Sequence, residues 1–325
     1  MSTSLASRGG GFDLCVVGNL VIDVIIKGVP SLPGWGREVL GTGRSEDVGG
    51  QGANLARAAA RLGLSTKIVS VVGDDGSGRR IRDTLQADGV GIDTLEVVNG
   101  DTALTVAAVR PDGERGFLTD LGCSAEMRPE VLARHWPLVR DARAVAFVGT
   151  SNLPGLDAAS IASVLAEVRA AGALSVFDPG WSADYGPTAV RDMDRILGVC
   201  DLFLPNRDEA QAMTGESGLA EMLRALRDRC PGTVIVKCGS EGSTFLHEDA
   251  VVVVEALPVH VDSAVGAGDV FDAGVISGLL ETGDPVSAAI RGTAAASLYI
   301  SRASSSFETI HDWQRVAPEV TVRGH

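Results

Sequence analysis

The stretch "VDSAVGAGDVFDAGVISGLL", Val261 to Leu280, runs from a glycine turn straight into small and apolar residues. A segment apolar on every side reads as a buried helix, and Gly266-Ala267-Gly268 as the turn that opens it. Converging backbone N–H groups and the positive end of the helix dipole suit an oxyanion or a phosphoryl group in transfer. Asp269 comes next, where a negative charge should be unwelcome. A P-loop would carry Gly-Lys-Ser/Thr at this point and a dinucleotide fold GxGxxG; neither pattern is present. Asp269 is therefore either a helix cap or a group that works opposite the anion.

Around this stretch, strands alternate with helices. "DLCVVGNLVIDVII" (Asp13–Ile26) is a near-continuous apolar run, broken at Gly18-Asn19 and Asp23, as expected of a buried strand. "DVGGQGANLARAAARLG" turns on glycines and becomes an Ala/Leu/Arg-rich helix that stops at Gly63. "STKIVSVVG", "ARAVAFVG", "ALSVFDPG", "CDLFLPN" and "AVVVVEAL" read as strands, and "TVIVKCGSEGSTFL" as two strands around a glycine turn. "GRRIRDTLQADGV", "DAASIASVLAEVRAAG", "RDEAQAMTG", "LAEMLRALRDRCPG" and "DPVSAAIRGTAAASLYISR" read as helices, with "GDDGSG" as a turn. The alternation predicts a doubly wound, mostly parallel α/β sheet with helices on both faces. "DTALTVAAVRPDGERGFLTDLG" breaks the rhythm with a hairpin about Pro111-Asp112-Gly113. It predicts a small separate sheet, shared with the segment after the first strand.

The 325 residues are 45% hydrophobic and 22% charged, enough apolar material for a large core. We expect one domain over 13–317, with a flexible tail at 1–12 and a C-terminal tail at 318–325. The net charge of -14 disfavours nucleic acid or an anionic membrane as a bulk partner. No apolar run reaches the about 20 residues of a membrane helix, and "MSTSLASRGGG" leads into no signal-peptide pattern. Five cysteines without a CxxC are read as reduced thiols, and a cytoplasmic protein is the expectation. The five histidines have no metal-ligand spacing.

Ligands in open parallel sheets bind beyond the carboxyl ends of the strands, and further candidates fall there. "GGQGANLA" (Gly49–Ala56) places Asn54 at a helix start, where an amide can serve hydroxyls as donor and acceptor. Asp23 is an acid inside an apolar strand and needs partners, whether sugar hydroxyls or a structural network. Asn206 and Glu209 of "PNRDEA" share one helical turn. They suit a hydrated Mg2+ or, equally, a capping box. Gly239 and Gly242 of "VKCGSEGS" could admit a nucleotide.

Taken together and in order, "GGQGANLARAAARLG", "NRDEA" and "GAGDVFDAG" resemble the ribokinase-like carbohydrate kinases, the PfkB family, over roughly Asp13 to Arg302. The resemblance implies an ATP-dependent transfer of phosphate to a sugar hydroxyl. Asp269 matches the family's catalytic base, and Gly266, Ala267 and Gly268 its anion hole. Asn206 and Glu209 match the motif that organises Mg2+ and phosphates. Asp23, Gly49, Gly50 and Asn54 match the residues that hold the sugar, and Lys237, Gly239 and Gly242 the nucleotide-side turn. Segments at about 21–47 and 101–121 match a β lid that closes over the sugar and often pairs into a homodimer.

The usual Asp-Thr-x-Gly-Ala-Gly-Asp is altered here. Ser263 and Ala264 hold the Asp-Thr positions and Asp262 lies one residue earlier. That segment helps bind a monovalent cation in many relatives, so a K+ site is left open. "SRASSS" (Ser301–Ser306) stands where Arg-x-Gly-Ala is more usual. A nucleoside acceptor and a silent ligand-binding protein are the alternatives. Trp35 and Phe117 are the lid's only aromatic candidates for stacking a base, which favours a sugar.

Overall fold

The computed structural model describes residues 11–180, 187–261, 263–301 and 306–324, so Asp262 and residues 302–305 of "SRASSS" lie outside the described residues. The first half contains β1 (Phe12–Gly18), β2 (Val21–Lys27), β3 (Gly43–Gly49), α1 (Gln51–Arg61), β4 (Thr66–Gly73), α2 (Gly76–Ala87), β5 (Leu95–Val98), β6 (Leu104–Val109) and β7 (Arg115–Asp120). There follow α3 (Pro129–Val139), β8 (Ala142–Val148), α4 (Ala158–Ala170), β9 (Leu174–Asp178), α5 (Pro187–Leu197), β10 (Leu202–Phe203), α6 (Arg207–Thr214) and α7 (Leu219–Arg227). The remainder is β11 (Thr233–Lys237), β12 (Ser243–His247), β13 (Ala250–Val254), α8 (Ala267–Thr282), α9 (Pro285–Ile300), α10 (Trp313–Val316) and β14 (Val322–Gly324).

Ten strands form one sheet in the order β14-β13-β12-β11-β10-β9-β8-β1-β4-β5. Neighbours from β5 to β11 are parallel, and β12, β13 and β14 extend the edge antiparallel. The chain winds outward from β1 to β5, then returns to the other side of β1 as β8 and winds on to β11. The winding direction therefore reverses between β1 and β8, which opens a crevice at their carboxyl ends. Burial is nearly continuous along the central strands, as in a sheet covered on both faces, and successive residues enter opposite cores. Leu14, Val16, Ala144 and Ala146 enter one core with α1, α8 and α9. Cys15, Val17, Val145 and Phe147 enter the other, with α3, α4 and α7.

The doubly wound expectation and the small separate sheet are both observed. The small sheet has the order β3-β2-β6-β7. Its strands pair Asp23 with Thr105 and Thr105 with Thr119, then Ile25 with Ala107 and Ala107 with Phe117, then Lys27 with Val109 and Val109 with Arg115. Cross-strand partners share a face, and the Thr105 and Thr119 hydroxyls lie 3.0 Å apart on it. Arg115 Nη2 donates to Ser263 Oγ at 3.4 Å, so this face turns toward the loop that leads into α8.

Some readings change. The apolar run from Asp13 to Ile26 is two strands, not one: β1 belongs to the large sheet and β2 to the small one, and the chain crosses between them at Asn19-Leu20. β5 is too short to show alternation in the sequence. Val322–Gly324, within the stretch read as a C-terminal tail, pairs with β13 as an edge strand. Among the described residues no helix is long and apolar enough to cross a membrane.

Residues Asp269 to Leu280 of α8 are all buried, and its contact with α9 is made backbone to backbone. A Cβ on Gly274 would lie 2.6 Å from Gly292 Cα, and one on Gly278 2.5 Å from Ala288 Cα. Gly274→Ala gains about 1 kcal/mol in helix propensity but must push two helices apart, at about 1–3 kcal/mol. We expect a net loss of stability, read as a lower chemical-denaturation midpoint; an unchanged midpoint would show that α8 and α9 separate freely.

Candidate active site

Three segments converge on the crevice beyond β1 and β8. At the start of α8, Gly266 adopts φ +81°, a left-handed conformation suited to glycine. A Cβ there would meet the Tyr299 hydroxyl at 2.8 Å and Asn54 Nδ2 at 3.2 Å. The first N–H groups of a helix lack intrahelical acceptors. That of Ala267 donates to Ala264 O at 3.1 Å, which leaves the turn at Gly268 and Asp269 as the part of the helix start suited to an incoming anion. Asp269 does not cap α8, whose N-cap is Gly266. Its carboxyl is buried inside the first turn and accepts from Asn54 Nδ2 at 2.9 Å. Burial first, then the nearby Asp178 charge, pushes its pKa up to about 7, against the hydrogen bonds of Asn54 and Gln51 and the Lys237 charge.

The second segment is the start of α1. Gly50 (φ +91°) is its N-cap. A Cβ on Gly49 would lie 1.9 Å from Asp23 Oδ2, so a glycine is required for β3 to pass beside that acid. Asp23 lies directly across from Asp47. Burial, with the Asp47 charge added, raises Asp23 to about 6. Gln51 donates through Nε2 to Asp178 Oδ2 at 3.2 Å, and through its backbone N–H to Asn19 Oδ1 at 3.1 Å.

The third segment is the end of β11. Lys237 Nζ bonds Asp178 Oδ2 at 2.8 Å and Asp272 Oδ2 at 3.0 Å, both carboxyls being buried. It also lies 3.6 Å from where a Cβ on Gly268 would be, beside the anion turn. Burial works against the Lys237 ammonium. Asp178, Asp272 and Glu209 outweigh it and hold the amine above its ordinary range. One ammonium cannot neutralise every carboxyl here. Burial, reinforced by Asp178, pushes Asp272 well above the usual carboxylate range.

Asn206 and Glu209 form a reciprocal capping box on α6: Asn206 Oδ1 accepts from Glu209 N at 2.9 Å and Glu209 Oε2 from Asn206 N at 2.8 Å. The structural alternative for this pair is thus present in the protein alone. Glu209 is nonetheless within electrostatic reach of the centre, since burial and then Asp178 raise it to about 7. Gly239 and Gly242 sit on the turn after β11, with φ +58° and +95°. A Cβ on Gly242 would strike Val254 O at 2.0 Å, so that glycine serves packing, whereas Gly239 faces open space. Among the described residues no group of three or more His, Cys, Asp or Glu is arranged to hold a metal.

The sequence reading did not single out Asp178, Asp272, Gln51 or Asn19. Two signals were available: an acid at the end of an otherwise apolar central strand, in "SVFDPG", and a second acid one helical turn after Asp269.

This geometry sets a glycine turn at a helix start beside a buried carboxyl in the crevice of a doubly wound sheet. Residues 12–312 match the family described as pfkB family carbohydrate kinase, and the chain belongs to that family. It is 31% identical over 268 residues to an ATP-dependent ribose-1-phosphate kinase from Halopiger xanaduensis, covering 82% of this chain and 84% of the relative. It is 29% identical over 236 residues to a nucleoside kinase from Methanothermobacter thermautotrophicus, covering 73% and 72%. Its fold superposes on Arabidopsis thaliana ribokinase, solved with ribose and ATP, with a TM-score of 0.80 at 24% identity, over 93% of this chain and 98% of that one.

A carboxyl with a folded pKa above its ordinary value of about 4 holds its proton more tightly when folded. Ionising Asp269 therefore costs stability progressively between about pH 4 and pH 7, and the penalty is complete above that. Asp269→Asn keeps the acceptor for Asn54 and removes the charge. We expect it to be more stable than wild type at pH 8, by on the order of 2–4 kcal/mol, with the gap closing toward pH 5. Denaturation at both pH values checks this; a gap independent of pH would contradict the raised pKa.

Proposed function

We propose that the protein transfers the γ-phosphate of ATP to a hydroxyl of a ribose-, fructose- or related sugar-like acceptor. The observation that carries this reading is the buried Asp269 carboxyl, hydrogen-bonded to Asn54 and set in the first turn of the helix that starts at the Gly266–Gly268 turn. In it, Asp269 takes the proton of the acceptor hydroxyl as general base. A raised pKa suits that task, because the base then lies near neutral pH. Gly266, Ala267 and Gly268 shape the anion hole, with the N–H groups of Gly268 and Asp269 as its donors because that of Ala267 bonds Ala264 O, aided by the α8 dipole. Asp23, Gly49, Gly50 and Asn54 hold the other acceptor hydroxyls. The segments at 21–47 and 101–121 act as a lid, whose closure would exclude water.

ATP and Mg2+ fit the residues present. The cradle at Gly266 would be filled by a Cβ, and Asp272 Oδ1 is a buried oxygen without a hydrogen-bond partner. Asn206 and Glu209 offer the oxygen donors that Mg2+ prefers, and Mg2+ commonly keeps its waters rather than entering an all-protein cage. In this reading Asn206, Lys237, Gly239 and Gly242 line the nucleotide side, and Glu209 and Asn206 hold Mg2+ through water. When bound, ATP supplies the phosphoryl group and Mg2+ offsets its charge. The described residues assign no K+ site. Five buried free cysteines suit a reducing cytoplasm.

A nucleoside acceptor is the second reading. Phe117 shares the sheet face of Asp23 and is 58% exposed, so a base could stack on it. A panel of sugars and nucleosides with ATP and Mg2+, followed by ADP release, separates the two. With the best acceptor, Asp269→Asn is expected to lower turnover by orders of magnitude while ATP affinity stays near wild type. Turnover near wild type in that variant would sink the assignment of the base.

The lid also carries Trp35, Leu40 and Leu118, all exposed. In the proposed reading two lids pair through these residues in a homodimer. Sedimentation should then show a dimer that Trp35→Ser with Leu118→Asp converts to monomer; a wild-type monomer at high concentration would exclude lid pairing.

A further inference from the structure

We propose that Lys237 and Asp178 are positioning residues for Asp269, the clamped ammonium and the hub carboxylate together fixing the electrostatic surroundings of that acid. This rests on the reading of Asp269 as the base. The groups facing Asp269 come from four elements. α1 supplies Asn54, bonded to it at 2.9 Å, and Gln51. The end of β9 supplies Asp178, the end of β11 Lys237, and the next turn of α8 Asp272. Only Lys237 among these carries positive charge. It reaches the centre as a clamped ion rather than a mobile side chain: Nζ is pinned at 2.8 Å to Asp178 and at 3.0 Å to Asp272.

The geometry makes Asp178 a hub. Its Oδ2 receives Lys237 Nζ and Gln51 Nε2, and its Oδ1 receives the Gly180 N–H at 3.1 Å. Gln51 lies one turn before Asn54 on α1, so one helix face binds the hub through Gln51 and the base through Asn54. In water such charges would be screened to a fraction of their strength; buried, they act at close to full range. Without Lys237, Asp269 would sit among uncompensated carboxyls and hold its proton to higher pH. Without the Asp178 charge it would release the proton at lower pH. The two partners thus pull the base in opposite directions, which a purely structural role would not do.

The test is a titration of the full chain labelled with 13C at aspartate Cγ, with the Asp269 signal assigned by its loss in Asp269→Asn. The wild-type midpoint is expected at about 7. Lys237→Met should raise it and Asp178→Asn lower it, each by roughly one pH unit. Lys237→Arg keeps the charge and should return the midpoint toward wild type. If Lys237→Met does not fold, the near-isosteric Asp178→Asn carries the test alone. A midpoint unmoved in the folded variants overturns the proposal whatever the activity. The acid limb of turnover, measured with ATP, Mg2+ and D-ribose or the fastest acceptor of the panel, should shift with the midpoint. If the midpoint moves as expected and the limb does not, the roles of Lys237 and Asp178 stand and the reading of Asp269 as the base fails, so the two failures are told apart.

Discussion

Burying an unpaired carboxylate costs several kcal/mol, and α8 buries two, Asp269 and Asp272, in its first two turns. The architecture around the crevice follows from meeting that cost. β11 ends where Lys237 can enter between Asp178 and Asp272. α1 begins where Asn54 can reach Asp269. Both demands are met at one place because the sheet reverses its winding between β1 and β8. That reversal brings the loop after β1, the start of α1 and the start of α8 to the same end of the sheet. The compensation is incomplete, since one ammonium serves several acids, and the surplus appears as the raised values of Asp269, Asp272 and Glu209. A site built for stability alone would be better served by apolar residues of similar volume. Persistence of the charges is what a proton-transfer role would explain.

Glycines let the surrounding backbone come close enough for this. Gly52 packs against Gly18 with a would-be Cβ only 2.7 Å from Gly18 carbon, which seats α1 directly on the end of β1. Gly49 leaves room for Asp23, and Gly149 (φ +61°) for the Asn19 amide, whose Oδ1 would lie 2.0 Å from a Cβ. These contacts fix Asn54 and Gln51 relative to the strand ends, and hence relative to Asp269. The small sheet is held to the same frame along β2 and β3: Arg57 Nη1 donates to Val48 O at 3.1 Å, Arg80 Nη2 donates to Glu46 O at 2.8 Å, and Ile22 and Val48 enter the core with α1 and α8. Its recorded tie to the α8 loop is the Arg115–Ser263 hydrogen bond, between exposed groups at 3.4 Å, and contacts of that kind add little to stability. The small sheet is thus anchored along β2 and β3, while its β7 side meets the α8 loop through a weak polar contact.

Much of this was legible in the sequence, for identifiable reasons. Apolar strands and small-residue helices alternate as a parallel α/β sheet requires, and the hairpin at Pro111-Asp112-Gly113 interrupts the alternation visibly. The anion turn was legible because glycine spacing and helix onset are local. So was the Asn206–Glu209 pair, although sequence alone left cap and metal roles open; the protein by itself adopts the cap. Asp178, Asp272 and the inward course of Lys237 were not legible. Their pairing joins residues 59 and 35 positions apart, and nothing local marks an acid at a strand end as the partner of a lysine two strands away. The division of Asp13–Ile26 between two sheets was hidden for a similar reason. β1 and β2 are both apolar, and only their partners distinguish them.

The coexistence of an acid and an anion turn in one helix start then has a physical account. The first N–H groups of a helix point along its axis, whereas the Asp269 side chain reaches Asn54 on α1. The helix start and the acid therefore face different directions from the same few residues. The helix dipole would by itself favour ionised Asp269, as does Lys237, while burial and Asp178 favour the proton. A lysine at position 269 would add to the anion site and leave no group to accept a proton. In the proposed reading, an aspartate whose pKa is raised toward neutrality by burial can accept the proton of a hydroxyl. On this view the raised pKa and the anion turn are two consequences of starting a buried helix at the switch point of the sheet, and neither is separable from the other without rebuilding both.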